Sequence, residues 1–96
     1  MSRIVWSPQS LRDVEAIRAY IAEDSPHYAD LMVRRIVAVI ERLTDFPESG
    51  RIVPERPTSL VREVIVGRFR VVYRVQEERV EVVTVFRGTR RFPDVF

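Results

Sequence analysis

The residues of this chain best equipped for chemistry are its arginines. All 16 basic residues are Arg and none is Lys, and most of them fall in the second half, in and around LVREVIVGRFRVVYRVQEERVEVVTVFRGTRRFPDVF, residues 60–96. A guanidinium fork donates two parallel hydrogen bonds to a phosphate or a carboxylate, but with a pKa above ~12 it cannot exchange protons near neutral pH. The chemistry on offer is therefore anion binding. The chain has no Cys, which excludes disulfides and thiolate metal sites. Its one histidine, His27, stands at the start of a helix pattern far along the chain from these arginines, where it reads as a solvated first-turn residue.

Charge is distributed unevenly. Residues 1–50 carry 6 Arg and 8 acids, a net of −2, whereas residues 51–96 carry 10 Arg and 6 acids, a net of +4. The length of 96 residues fits one domain spanning 1–96, with a single modest core. No apolar run approaches the ~20 residues that a membrane span needs, and no charged start followed by an apolar block marks a signal peptide. Together with the lack of Cys, this places the expected location in the cytoplasm. No metal or cofactor is expected.

The elements that must position the arginines follow from pattern. Arg3–Trp6 alternates as a first strand. Ser7-Pro8 and Ser25-Pro26 each read as an N-cap followed by proline at the first helical position. Leu11, Val14, Ile17 and Ile21 then place a helix from Pro8 to about Glu23. Ala29, Met32, Val33, Ile36, Ile40 and Leu43 place a second, running to about Thr44. The link is short, so the two form an antiparallel hairpin. Pro47, Gly50, Pro54 and Pro57 mark residues 47–59 as a loop. Leu60–Val66, Phe69–Val75 and Val80–Phe86 are three strands rich in β-branched residues. On the middle strand, alternation puts Phe69, Val71, Tyr73 and Val75 on a core face and Arg70, Val72 and Arg74 on an open, positively charged face. If Gly67-Arg68 is a two-residue turn, Val66 pairs with Phe69 and Glu63 shares the face of Arg70. A three-residue turn puts Arg62 there instead. The order β-α-α-β-β-β predicts an α+β fold with the helical hairpin on one face of a small antiparallel sheet, the first strand joining its edge.

Four stretches in this order, WSPQSLRDVEAIRAYIAEDSP, ERLTDFPESGR, VREVIVGRFRVVYRV and VVTVFRGTRR, resemble the RelE/ParE family of toxins from type II toxin–antitoxin systems, across essentially the whole chain. ESGR and VGRFRVVYRV look most like the ParE-type, plasmid-stabilisation branch. The resemblance implies an antitoxin that wraps the toxin through an extended or helical segment. It also implies one of two activities on one fold: poisoning of DNA gyrase without chemistry (ParE branch), or cleavage of mRNA on the ribosome (RelE branch). Fold alone does not choose between them.

Cleavage through a 2′-hydroxyl needs a base, an acid and positive groups for the phosphate. By similarity, Arg70 and Arg90 match RelE arginines, and Arg62 lies where a RelE strand lysine falls. The RelE lysines are absent, however, and its C-terminal tyrosine would fall near Phe96, which has no hydroxyl. Glu63, Glu81 and Tyr73 remain as proton carriers. The expectation is a gyrase-directed, ParE-like toxin that contacts its target through Arg70, Arg74, Arg87, Arg90 and Arg91, with Phe92 and Phe96 as apolar contacts. The alternative is a ribosome-dependent endoribonuclease using Arg62, Arg70 and Arg90.

Overall fold

The structure, a computed structural model, describes residues 2–94; Phe96 lies outside the described residues. The elements are β1 (Arg3–Trp6), α1 (Pro8–Ala22), α2 (Pro26–Arg42), β2 (Arg51–Ile52), β3 (Arg62–Val66), β4 (Phe69–Gln76) and β5 (Arg79–Arg87). Both Ser-Pro signals work as the sequence suggests. The Ser7 hydroxyl accepts the N–H of Ser10 at 3.0 Å, and the Ser25 hydroxyl accepts that of Tyr28 at 3.1 Å. Each thereby satisfies one of the orphan donors of a first helical turn. The helices turn back on each other within three residues, and Arg18 meets Asp30 across them.

The hairpin covers one face of a five-stranded sheet in the order β1-β5-β4-β3-β2. Met32, Ile36 and Ile40 from α2 pack on Val66, Phe69, Val71, Val82 and Val85, with Val14, Ile17 and Ile21 of α1 at the border. Ile36 and Ile40 are fully buried, each worth ~1.5–3 kcal/mol of apolar transfer. Leu11, counted in the helical stripe, is half exposed, and the fully buried residue beside it is Ser10, whose hydroxyl donates back to the Ser7 carbonyl at 2.8 Å.

Three differences from the sequence expectation bear on the site. First, the sheet is mixed: β1 lies parallel to β5, with Arg3 opposite Arg79, while the other pairings are antiparallel. Second, two residues of the proline-rich loop form β2 and pair with β3. Third, the face of β4 that carries Arg70 is not open. Val53 and Val61 close over Val72, Val83 and Phe86, with Phe92 packed against them. Val72 and Phe86 gave that face enough apolar surface to need a cover, and the loop of residues 53–61 supplies it. A register shift between Val72 and Tyr73 places Val83 as an extra residue in β5, which lets Val82 and Val85, three residues apart, share the helix face while Val83 and Phe86 share the other.

Candidate functional site: an arginine-rich end of the sheet

The β3–β4 turn settles the register. Val66 pairs with Phe69 and Ile65 with Arg70, so the turn is the two-residue Gly67-Arg68. Gly67 takes φ +58°, a left-handed value that suits the first central position of such a hairpin and that glycine alone adopts cheaply. Glu63 therefore shares the face of Arg70, and Arg62 does not.

The consequence is an ion cluster under the loop. Arg70 Nε donates to Glu63 Oε1 at 2.6 Å, and its two terminal nitrogens donate to the Glu55 carboxylate at 2.7 and 2.8 Å. Arg51 Nε donates to the other oxygen of Glu63 at 2.7 Å. The Arg70 guanidinium also lies 5.2 Å from the ring centre of Phe86 and 5.5 Å from that of Phe92, within cation–π range. Arg70 is thus committed to two carboxylates, with its side chain 10% exposed. Its hydrogen bonds hold the Glu55 carboxyl at about 2, well below its usual value, and the same bonds raise the Arg70 pKa further.

The other candidates separate. Arg62 donates to the carbonyls of Gly50 at 2.8 Å and Glu48 at 3.3 Å, pinning the start of the loop. Tyr73 is fully buried, and its hydroxyl accepts the Gly50 N–H at 2.9 Å; burial pushes its pKa up. Glu63 has no exposed side-chain surface. Arg74 lies 3.6 Å from Glu81, five residues along β4 from the Gly67-Arg68 end and so roughly 17 Å away. Phe92 is half-buried, edge-on to Phe86 at 5.5 Å, and acts as the anchor that returns the tail to the domain.

What remains exposed is one end of the sheet. The Gly88 N–H donates to the Arg68 carbonyl at 2.8 Å and the Arg90 N–H to the Arg87 carbonyl at 2.9 Å. These bonds gather Arg68, Arg87, Arg90 and Arg91 around the β3–β4 turn and the end of β5. All four are exposed. Among the described residues none of the four has a carboxylate within ion-pairing distance, unlike Arg18, Arg51, Arg62, Arg70 and Arg74. Two clefts lie at this end, on either side of Gly88. One, of about 590 Å³, is bordered by Arg68, Phe69, Arg87 and Thr89; the other, of about 1140 Å³, by Arg90, Arg91, Phe92 and Asp94. The tip of the helical hairpin reaches the same end, with Tyr20 lying 5.8 Å from the Arg87 guanidinium.

Asp13 positions this end without joining it. Its carboxylate takes the Val85 N–H at 3.0 Å and the Thr84 hydroxyl, while Ser7 donates its hydroxyl to the Val83 carbonyl at 2.8 Å. The start of α1 thus satisfies the edge of β5 where β1 has ended, and holds that strand straight up to Arg87. Sequence reading missed Asp13, Glu55, Arg51 and Tyr20. For Glu63 the signal was present, since the two-residue turn sets it beside Arg70.

Among the described residues no group of three or more His, Cys, Asp or Glu could hold a metal ion, and no helix is long and apolar enough to cross a membrane. Residues 4–92 match the family described as ParE toxin of type II toxin-antitoxin system, parDE. The Y4kP protein of Sinorhizobium fredii is 35% identical over 95 residues, covering 97% of this chain and 95% of that one. Toxin RelE2 of Caulobacter vibrioides is 33% identical over 91 residues, covering 94% and 99%. The solved structure of the chromosomal ParDE TA system from P. aeruginosa shares the fold with a TM-score of 0.76 at 22% identity, covering 91% of this chain and 96% of that one. An α+β domain of this topology, matched over nearly its whole length, makes the chain a member of the ParE branch of the RelE/ParE toxins of type II toxin–antitoxin systems.

Proposed function

We propose that this toxin inhibits DNA gyrase by binding, not by catalysis, and that a cognate antitoxin neutralises it. The observation that carries the reading is the state of the groups a nuclease would need. Arg62 and Arg70 are held by loop carbonyls and by Glu55 and Glu63. Glu63 and Tyr73 are buried and already hydrogen-bonded, and Glu81 lies beside Arg74 at the far end of the sheet. General acid–base work needs a proton carrier within hydrogen-bond reach of the reacting atom, and these three cannot offer one at the exposed arginines. What the exposed end offers is an array of forks with no carboxylate ion pair among the described residues, suited to gripping an anionic target. Arg87, Arg90 and Arg91 are the contacts, with Arg70 and Arg74 supporting the sheet behind them.

The test is gyrase supercoiling of relaxed plasmid with the purified protein. Loss of supercoiling, with linear DNA released on denaturation, is expected, and Arg87→Glu with Arg90→Glu should abolish it. Normal supercoiling, together with A-site cuts in a labelled message on programmed ribosomes, would overturn the reading in favour of the endoribonuclease.

A further inference from the structure

We infer that the arginine end is a single-stranded nucleic-acid site, with backbone phosphates held by Arg68, Arg87, Arg90 and Arg91 and a base stacked on Tyr20. The inference rests on the reading of this end as the toxin's working surface, and it names the ligand: an unpaired stretch of DNA or RNA.

Three observations converge on it. The first is the set of forks. Each of the four arginines is exposed and has no carboxylate ion pair among the described residues; Arg3, Arg12, Arg34, Arg35, Arg42 and Arg79 share that state, but only these four gather at one end of the sheet beside the two clefts. A phosphodiester accepts the same two parallel hydrogen bonds as a carboxylate. The second is the shape. The turn over residues 87–91 separates two clefts that both reach Gly88 and Arg70. A chain crossing that turn passes from Arg68 and Arg87 on one side to Arg90 and Arg91 on the other. The third is Tyr20, which is 63% exposed, as Phe46 also is, but which lies beside one of the four forks. The Arg87 guanidinium packs near it at 5.8 Å, which fixes the ring next to the forks with much of its surface open. Aromatic rings beside a positive trough are how proteins hold single strands without reading sequence. An acidic protein surface would use the forks but has no need of the ring. Of the acids bordering the larger cleft, Glu55 is neutralised by Arg70, while Asp13, held by the neutral Thr84 and Val85, and Asp94 keep their charge against Arg56, Arg90 and Arg91.

The probe is fluorescence anisotropy with a labelled oligothymidylate of about twelve nucleotides, its RNA counterpart, a duplex of the same length, and polyglutamate as competitor. Single-strand binding should weaken with salt with a log–log slope of about −2.8, four phosphates at ~0.7 each. Arg87→Gln with Arg90→Gln should bring the slope to about −1.4. Tyr20→Ala should weaken single-strand binding by about 5- to 150-fold and leave the slope unchanged, since stacking releases no counterions. Tyr20 is exposed, so an unaltered melting curve will certify the variant. Comparing the DNA and RNA probes separates the two sources of single strand. Salt-insensitive binding, a duplex bound as tightly as the single strand with no effect of Tyr20→Ala, or displacement by polyglutamate at equal charge would each overturn the inference. Gyrase inhibition without oligonucleotide binding would sink the inference and spare the gyrase reading; oligonucleotide binding without gyrase inhibition would do the reverse.

Discussion

Replacing Glu63 with Gln tests whether Arg70 belongs to the framework. The Glu63 side chain has no exposed surface and lies between two guanidinium groups, receiving Nε–H from Arg51 at 2.7 Å and from Arg70 at 2.6 Å. Gln keeps the shape but brings no charge, and its amide nitrogen must face one of the two cations. Removing one partner of a buried pair costs about 3–5 kcal/mol, because the other charge is left uncompensated. Arg70 would still hold Glu55, so the lower end, about 3 kcal/mol, applies. In a domain of this size each kcal/mol moves Tm by ~4–8 °C, so the drop should be about 12–24 °C. The control is Arg18→Ala at the hairpin ion pair with Asp30. Those side chains are 53% and 47% exposed, and loss of the pair should cost about 0–1 kcal/mol. Thermal and urea unfolding followed by circular dichroism measure both. A fall below about 4 °C for Glu63→Gln, or equal falls for the two variants, would refute the argument that burial sets the strength of this cluster.

Acid should weaken the tie between loop and sheet. The Glu55 carboxyl titrates at about 2 when folded against an ordinary 4.5. Its contribution is therefore complete above about pH 4.5 and is lost as pH falls toward about 2, because the unfolded chain takes up the proton first. Glu55→Gln should flatten urea midpoints across that window. Gly50→Ala should cost about 3 kcal/mol by urea unfolding, since an added Cβ would sit 2.5 Å from both the Glu63 carbonyl oxygen and the Tyr73 hydroxyl. Tyr73→Phe strands the buried Gly50 N–H and should cost about 1–3 kcal/mol. Ile36→Ala, at a fully buried site on α2, should cost about 2–5 kcal/mol.

Much of the fold was legible because the signals were local. Two Ser-Pro caps, a helical stripe from Ala29 to Leu43 and the Gly67-Arg68 turn each act within a few residues, and each is where the pattern puts it. The family likeness was legible for the same reason. The parallel pairing of β1 was not, because Arg3–Trp6 alternates identically whichever way its neighbour runs. The burial of Arg70 was hidden for a different reason. Prolines 54 and 57 mark a loop but say nothing of what it covers, so a strand face with two arginines reads as solvated. Only the position of Val53 and Val61 over Val72 and Phe86 shows that this face is a second small core. Arg68, Arg87, Arg90 and Arg91 stay exposed because they stand in the hairpin turn, at the last residue of β5 and in the segment after it, beyond that cover.

The pairing of the first strand with the last has a consequence for how the toxin comes into being on the ribosome. β5 is the neighbour of both β1 and β4, and the Ser7–Val83 bond spans 76 residues. Closing a loop of that length costs about 4 kcal/mol of chain entropy before any contact returns it. During synthesis β1, α1, α2 and the β3–β4 hairpin all emerge before the strand that joins them, and the arginine end is assembled last, by the residues that follow it. An unfinished chain thus has neither a closed sheet nor the arginine end proposed as its working surface. On the proposed function, harm waits for β5 and the turn after it, so products truncated before residue 79 should be inert.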